Sequence, residues 1–590
     1  MIQYRIGIAD AQAHRFDVAL TIPEPAAGQV VSLPVWIPGS YLVREFARHL
    51  SGLEAHQDGR AVRIQQTDKA SWRMDCRGGA ALELRYRVYA YDTSVRAAFL
   101  DPQRGFFNGT GTCLRVHGQE ARPHAIELTD LPDGWQVATA MPPDAVRPQR
   151  YASADYDELV DHPFELGRHW RGTFTAAGVP HEFVVAGALP DFDGERLLAD
   201  AQRICETHIA FWHGATHPTP PFDRYVFMLN TAEDGHGGLE HRASTALLAA
   251  RRDLPRRGAE PPVGANGGGP GDGYVNLLGL ISHEYFHAWN VKRMRPREFE
   301  RYDYSRENYT ELLWFFEGHT SYYDDLLLLR AGLIDPSRYL KLLAKPVSGV
   351  LATPGRGVHS VAQSSFEAWT KFYRADENTP NATISYYAKG SLVALALDLT
   401  LRREGKGTLD EVMRTLWRSG GGGPIDEADI AAALETVGGR SYARELAAWV
   451  HGTDELPLPA LLADAGVDWQ PQPATLAQRL GLRVSESALT GVRVTHVLRG
   501  GAAEQAGLAA GDELIALGDW RLRRLDDALR LLADAAPTPL LVARDQRLLR
   551  LSLTLPPPAP ASQAVGAVAL ALAEGAPPAA LALRKAWLAT

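Results

Sequence analysis

The sequence predicts a multidomain α+β protein with a β-rich N-terminal domain, a mainly helical central domain and a small C-terminal module that contains strands. Its 590 residues are enough for about three or four domains. Short alternating or apolar runs, separated by Gly, Pro and Asp, fill residues 1–185 and are typical of strands. Apolar residues recur at helical spacing soon after this region, above all from 274 to about 465.

The expected domain boundaries follow these changes in pattern. Residues 1–185 are assigned to the N-terminal domain, 186–468 to the helical domain and 469–556 to the small module. Residues 557–590 form a Pro/Ala-rich linker followed by a C-terminal helix. The Gly- and Pro-rich segment 254–273 predicts a mobile loop.

Composition excludes several classes of protein. A chain that is 45% hydrophobic and 22% charged can bury a large core and is not globally disordered. Because 61 Lys and Arg face 70 Asp and Glu, giving a net charge of −9, we expect no nucleic-acid and no membrane partner. Cys76, Cys113 and Cys205 are too far apart for a disulfide framework or a cysteine zinc cluster. The start lacks signal-peptide features, which favours a cytoplasmic protein or an exported one whose signal has been removed.

The segment His283-Glu284-Tyr285-Phe286-His287 carries the strongest chemical signal. Helical residues four apart differ by only about 40° in direction, so both imidazoles point into the same space. This arrangement predicts two ligands of a zinc ion and a general base, Glu284, between them. The alternative is a core helix with two incidental histidines.

A carboxylate in a second apolar helix is the candidate third ligand. A buried and unpaired Glu317 is costly, so it should bind a cation, be protonated or pair with an arginine. The surrounding W-x-x-E-G-H-T resembles the zinc-glutamate segment of the gluzincins, the group of aminopeptidase N and leukotriene hydrolase. This resemblance implies His283, His287 and Glu317 as zinc ligands, with Asp324 behind one imidazole. The interval of 317 − 287 = 30 positions exceeds the group's usual spacing, so residues 291–308 should loop out.

The segment Gly237-Gly238-Leu239-Glu240-His241 resembles the G-x-M-E-N motif of the same group, with Leu for Met and His for Asn. In that group the glycines let an edge strand pair with the substrate backbone, and the glutamate binds the free α-amine. The resemblance therefore implies substrate-binding roles for Gly237, Gly238 and Glu240. Taken alone, the same residues are more often a β-turn.

The segment Ser385-Tyr386-Tyr387-Ala388-Lys389-Gly390 resembles the Y-x-K-G segment whose tyrosine hydrogen-bonds the oxyanion. Tyr387 is the matching position and Tyr386 the neighbour most easily confused with it. Losing one donor of this kind typically reduces the rate by about 10²–10³. The alternative is a core tyrosine at the start of a helix.

The stretch from Gly501 to Leu508, G-x-A-x-x-A-G-L, and the turn Gly511-Asp512 resemble a PDZ domain of the bacterial protease-associated kind. Such domains bind C-terminal carboxylates or extended strands, here with a carboxylate loop near Leu480-Gly481-Leu482. A structural lid and a dimer contact are the alternatives for this module.

Over nearly its full length the sequence resembles the glycyl aminopeptidase family, most specifically in H-E-Y-F-H-x-W-N and E-G-H-T-S-Y-Y. The resemblance implies a thermolysin-like catalytic domain, one Zn²⁺ per chain and removal of N-terminal Gly or Ala from peptides with a free N-terminus. Three alternatives stay open: an endopeptidase on this scaffold, a non-catalytic peptide-binding scaffold, and a bifunctional enzyme with epoxide chemistry. The intact set of ligand residues argues against the scaffold, and no residue signals epoxide chemistry.

Overall fold

The computed structural model describes residues 1–147, 149–214, 218–258, 271–532, 536–557 and 566–588. Most of the predicted mobile loop and most of the Pro-rich linker lie outside these residues. The chain divides into two compact units, the first of which comprises Met1–Asn308, Ala331–Ile334 and Trp417–Pro424. The second comprises Tyr309–Arg330, Asp335–Leu416 and Ile425–Thr590. Among the described helices, none combines the length and apolar character needed to cross a bilayer.

The first unit is rich in strands. Its strands are β1 (Ile2–Asp10), β2 (Arg15–Ile22), β3 (Val30–Ser32), β4 (Leu50–Gln57), β5 (Arg60–Ala61), β6 (Ile64–Asp68), β7 (Ser71–Met74), β8 (Leu82–Tyr89), β9 (Phe99–Leu100), β10 (Arg104–Phe107), β11 (Arg115–Val116), β12 (His124–Thr129), β13 (Gln136–Ala138), β14 (Arg150–Ser153), β15 (Phe164–Gly167), β16 (Trp170–Ala176), β17 (Val179–Ala186), β18 (Tyr225–Ala232), β19 (His236–Glu240) and β20 (Ser244–Ala250). Its helices are α1 (Gly109–Thr112), α2 (Tyr156–Val160), α3 (Gly194–His213) and α4 (Asp272–Phe286).

Three sheets form the N-terminal region, in the strand orders β14-β12-β1-β2-β8-β4-β5, β13-β15-β10-β9 and β11-β3-β7-β6. Alternate side chains are buried along β8, as expected for a strand with one face on a core and the other in solvent. The shared core includes Val18, Leu84, Phe106 and Ile126. The prediction of a β-rich N-terminal domain is confirmed.

A fourth sheet supports α4 and has the order β16-β17-β18-β20-β19. Strands β17, β18 and β20 run parallel, whereas β19 is antiparallel to β20 and lies at the edge. Helix α4 packs on β19 and β20. Strands β16 and β17 precede or span the expected boundary at residue 185, yet they pair with the strands that follow it.

The second unit is mainly helical before its C-terminal module. The helices that begin in it are α5 (Leu313–Arg330), α6 (Pro336–Leu351), α7 (Val361–Phe366), α8 (Thr379–Ala382), α9 (Ala388–Glu404), α10 (Leu409–Ser419), α11 (Glu427–Gly438), α12 (Ala443–Leu446), α13 (Leu458–Asp464), α14 (Leu476–Leu480), α15 (Ala502–Gln505) and α16 (Pro578–Leu588). Its strands are β21 (Val467–Gln472), β22 (Leu482–Ser487), β23 (Gly491–Val497), β24 (Glu513–Leu517), β25 (Trp520–Arg521), β26 (Pro537–Arg544), β27 (Arg547–Thr554) and β28 (Ala567–Leu572).

The C-terminal module has its own sheet and core. Its strands follow the order β22-β23-β24-β26-β27, with β25 paired to β24, around buried residues such as Val494, Leu514 and Val542. Strands β21 and β28 lie on either side of the module in sequence and pair with each other in antiparallel fashion. The Ala/Leu-rich tail was expected to form only a helix, but it contributes β28 before α16.

Candidate active site

Helix α4 presents its two histidines on the face opposite to a buried aromatic anchor. Tyr285 is fully buried, and its hydroxyl lies 2.8 Å from Nε2 of His181 on β17, which fixes the inner face of the helix. His283 and His287 lie one turn apart, with their Nε2 atoms separated by 3.1 Å. The predicted convergence of the two imidazoles is therefore present.

The orientation of the His287 ring is set by the backbone beyond the helix. Its Nδ1–H donates to the carbonyl oxygen of Asn290 at 2.6 Å, which leaves Nε2 as the available ligand atom. The sequence pointed to Asp324 as the group behind a zinc histidine. Asp324 is half-buried on α5, and its carboxylate accepts a hydrogen bond from the Asp325 amide. Its role behind a zinc imidazole stays a prediction.

Helix α5 carries the third candidate ligand at a close crossing with α9. Glu317 is 2% exposed, as the apolar pattern predicted. A Cβ added at the next residue, Gly318, would lie 2.6 Å from Cα of Gly390, and one added at Gly390 would lie 2.6 Å from the Trp314 carbonyl oxygen. The glycines in the E-G-H and K-G segments thus let two helix backbones approach each other.

The donor set fits a divalent cation. One ligand atom from each of His283, His287 and Glu317 lies within 4.8 Å of the others. Imidazole nitrogens at about 2.0–2.1 Å from a tetrahedral zinc ion lie roughly 3.3 Å apart, close to the separation of the two Nε2 atoms here. Two imidazoles with one carboxylate are a donor set that suits zinc and leaves a fourth position for water or substrate.

The edge strand β19 runs directly against the predicted base. A Cβ added at Gly238 would lie 2.0 Å from Oε1 of Glu284, so a larger residue at this position would displace the Glu284 side chain. The carbonyl oxygen of Gly238 accepts a hydrogen bond of 3.1 Å from Nη2 of Arg96. Arg96 precedes Gly238 by 142 positions and belongs to no motif, so the sequence alone does not indicate it.

Glu240 lies two residues further along the same strand. It is only 4% exposed, and its Oε1 has no hydrogen-bond partner among the residues that the structure describes. The backbone of Gly39 covers it so closely that a Cβ there would lie 2.4 Å from this oxygen. A buried carboxylate oxygen in this state lacks the cationic or hydrogen-bonding partner that usually compensates burial.

A buried ion-pair network borders Glu240. Lys292 and Asp161 pair at 2.8 Å and are 4% and 7% exposed, and Nδ1 of His241 lies 3.5 Å from the same carboxylate. Burial alone would raise the pKa of Asp161, but Lys292, His241 and Arg242 outweigh it and hold that pKa well below its usual range. The His of G-G-L-E-H therefore joins this network, where the related motif has Asn.

Residues 291–308 contain no α-helix or strand and loop out as expected, but this loop is packed on the N-terminal region. Lys292 is held by Asp161, and Tyr304 packs in the N-terminal core with its hydroxyl donating to Asp157. The Trp36 indole donates to the Asp303 carbonyl oxygen at 2.8 Å. Buried contacts therefore hold this segment on the N-terminal region.

Tyr387 immediately precedes α9 and is half-buried, whereas the neighbouring Tyr386 is fully buried. The Tyr387 and Tyr373 hydroxyls share a hydrogen bond of 3.0 Å, and the Tyr386 hydroxyl donates to Tyr373 at 3.3 Å. Burial, together with the charge of Glu317, raises the pKa of Tyr387 well above its ordinary value. Its phenol therefore keeps its proton and can donate a hydrogen bond.

Comparison with known proteins agrees with this site. Residues 3–168 match the Peptidase M61 N-terminal domain, 276–393 match M61 glycyl aminopeptidase and 493–544 match the PDZ domain. The crystal structure of an aminopeptidase N family protein from Idiomarina loihiensis is 37% identical, covers 100% of both chains and superposes with a TM-score of 0.90. A search of curated proteins returns no match.

An M1 zinc metallopeptidase from Deinococcus radiodurans is 16% identical, covering 78% of this chain and 95% of its own, with a TM-score of 0.48. A similarity at that level supports no conclusion about this chain.

The fold and the matched domains define a metallopeptidase with a C-terminal PDZ domain. More specifically, the chain belongs to the M61 glycyl aminopeptidase family. The predicted family, fold class and enzyme class are thereby confirmed.

Proposed function

We propose that this metallopeptidase is a zinc-dependent aminopeptidase that removes one small N-terminal residue, glycine or alanine, from peptides. Membership in the M61 glycyl aminopeptidase family supports this activity. His283, His287 and Glu317 hold the zinc ion, and Asp324 supports one of the imidazoles. The physiological substrates are peptides with a free N-terminus.

The observation that carries the proposal is the state of Glu240. Its buried carboxylate has an oxygen without a partner, on the strand whose glycine lies against Glu284. A substrate ammonium group supplies the missing positive charge and the hydrogen-bond donors. Fixing the amine at one end of β19 sets which peptide bond reaches Glu284, and that is the first one.

The chain's own residues divide the chemistry between them. Glu284 takes a proton from the attacking water and later delivers it to the leaving amine. The protonated Tyr387 donates to the oxygen of the reacting carbonyl as negative charge develops there. Arg96 orients the Gly238 carbonyl, which helps to hold β19 in place. When bound, zinc supplies Lewis-acid chemistry that favours deprotonation of water and stabilises negative charge on oxygen.

Metal content and activity, measured on the same samples, test this proposal. Wild type should contain about one zinc per chain and release the chromogenic amine from Gly- and Ala-anilides faster than from Leu-anilide. Glu317→Ala should lose both the metal and the activity. The exposed Glu311, six positions upstream, provides a matched control, and Glu311→Ala should change neither. Wild type without zinc, or zinc without cleavage of any free-amine substrate, would contradict the proposal.

The PDZ domain contributes a second peptide-binding surface in this proposal. Strand β22 is at an edge of its sheet, so its outer backbone groups can pair with an extended peptide. The Gly481 amide near the predicted carboxylate loop donates to the Gln478 carbonyl oxygen at 3.1 Å. Binding along the strand therefore has better support than capture of a carboxylate by this amide.

Excision of the PDZ domain separates its role from hydrolysis. Because β21 and β28 pair with each other, residues 474–565 can be replaced by a short Gly/Ser linker without cutting either strand. Hydrolysis of a Gly-anilide should stay within about threefold of wild type, since no residue of the proposed reaction is removed. A total loss in a still-folded variant would show that the PDZ domain shapes the active site.

A further inference from the structure

A second buried charge lies in the helical part of the chain and takes no part in the proposed reaction. Lys389 is 3% exposed, and its side-chain nitrogen, which keeps some accessible surface, forms no hydrogen bond or ion pair with any residue that the structure describes. Buried lysines are rare unless they are paired, because transfer of the ammonium group out of water is unfavourable. A lysine in this state indicates a partner that the chain does not supply.

Lys389 lines a cavity of about 270 Å³ between α6, α9, α13 and β21. Apolar side chains form most of its wall, among them Val347, Val350, Leu351, Leu392, Leu458 and Trp469. At about 30 Å³ per liquid water, the cavity has room for on the order of ten non-hydrogen atoms. An apolar ligand that displaces water from a space of this size gains packing contacts and buries apolar surface.

The charged residues on the rim of the cavity restrict the charge of the ligand that it can bind. Arg356 lines the cavity but pairs with Glu455 at 2.9 Å, so its charge is already compensated. Asp454 and Glu455 are exposed and lie on the same rim. A dianion such as phosphate would face one ammonium group, the mutually compensated Arg356–Glu455 pair and the Asp454 carboxylate, whereas a monoanion can pair with Lys389 with less repulsion from Asp454.

Burial lowers the pKa of Lys389, and the Glu455 and Asp454 carboxylates only partly offset this effect. The two carboxylates on the rim therefore do not fully compensate the charge of Lys389. A carboxylate placed directly on the amine would do so, because a charge-assisted hydrogen bond favours the charged form of both groups.

We propose that this cavity binds a small monocarboxylate with an apolar body, with the carboxylate on Lys389 and the body against Val350, Leu392 and Trp469. This chemistry occurs in medium-chain fatty acids and in the apolar C-terminal residue of a peptide. The site does not depend on the proposed peptidase reaction.

Calorimetric titration of the full chain tests the proposal, with octanoate as the probe. Wild type should bind one octanoate, and Lys389→Met should weaken binding at least about tenfold, the expected effect of losing one charge-assisted hydrogen bond. Lys406→Met, at an exposed lysine just after α9, should leave the affinity unchanged. Octanol should bind wild type and Lys389→Met with similar affinity, and octylamine should not bind wild type.

A second variant keeps the proposal testable if Lys389→Met does not fold. Val350→Phe fills the cavity and should weaken octanoate and octanol alike, with an unchanged circular dichroism spectrum. N-acetyl-leucine distinguishes the two sources: tighter binding than octanoate indicates a peptide C-terminus, and weaker binding a fatty acid. Absence of octanoate binding to wild type, or equal binding to wild type and Lys389→Met, would overturn the proposal.

Discussion

Two buried charged side chains, Glu240 and Lys389, differ in what surrounds them. Glu240 is enclosed by backbone and by a fixed ion-pair network, with Gly39 so close that a Cβ there would press on the Glu240 carboxylate. Lys389 instead faces an apolar cavity of about 270 Å³. Both side chains are nearly as inaccessible to solvent as core residues.

The difference indicates what each position can bind. A site bounded closely by backbone favours a small group of opposite charge, and the α-ammonium of a substrate is such a group. A site with apolar volume accepts a charge together with a body attached to it. Burial of a charge therefore indicates that a ligand is needed, and the neighbouring side chains indicate its size.

Breaking the Asp161–Lys292 pair beside Glu240 should have the largest effect on stability. Asp161→Asn leaves Lys292 buried without its partner, so we expect a loss of about 3–5 kcal/mol in the free energy of unfolding of the first unit. Denaturant titration measures this loss. Asp234→Asn, which breaks the exposed pair with Arg252, is the control and should be near neutral.

The pH dependence of the same variant has a defined sign. The pKa of Asp161 is depressed in the folded chain, so the pair stabilises fully above the unfolded pKa of about 3.9 and loses this effect as the pH falls. The difference between wild type and Asp161→Asn should therefore be constant near neutral pH and shrink in acid. A difference that grows in acid would contradict the assigned ion pair.

Gly238→Ala tests whether the close fit around β19 serves catalysis. The added Cβ would displace the Glu284 carboxylate, so we expect kcat/KM to fall by about 10²-fold while the unfolding transition changes little. Gly349→Ala, at an exposed position of α6, is the control, because nothing lies within 4 Å of its added Cβ. Equal activities of the two variants would contradict the roles of Glu284 as the general base and of β19 as the strand that binds the substrate.

Gly39→Ala should have the smallest effect on activity, and it tests most specifically whether Glu240 contacts the substrate. A methyl group there presses on Glu240, so KM for a Gly-anilide should rise about threefold to tenfold with little change in kcat. Gly52 also has a left-handed backbone, with φ of 63° against 91° for Gly39, but no atom lies within 4 Å of its added Cβ. Gly52→Ala is therefore the control that separates backbone strain from contact with Glu240. A rise in KM for both variants would mean that strain alone is responsible.

The local patterns predicted the elements of the site well. Helix α4 and the buried helix around Glu317 follow from apolar periodicity, and the spacing of His283 and His287 follows from the helical repeat. Tyr387 was distinguished from Tyr386 by its motif position, and the structure adds that Tyr386 is the more deeply buried of the two.

Contacts between distant parts of the chain could not be predicted from one sequence. Arg96, Gly39 and Asp161 approach β19 from the N-terminal region, and no motif surrounds them. Strand β28 was missed because the short run AVALAL is apolar throughout, which does not distinguish a buried strand from a helix. The pairing of β17 with β18 likewise depends on tertiary contacts rather than on local pattern.

The most direct test of the central claim is kcat/KM of Glu240→Gln for a Gly-anilide, with zinc content and cleavage of an N-acetylated peptide measured alongside. Glutamine keeps the shape of the side chain and removes its charge. We expect kcat/KM to fall about 10- to 150-fold, as for the loss of one charged hydrogen bond, with zinc unchanged and no cleavage of the acetylated peptide by either enzyme. Unchanged activity on the Gly-anilide, with cleavage of the acetylated peptide by both, would contradict the claim and identify an endopeptidase.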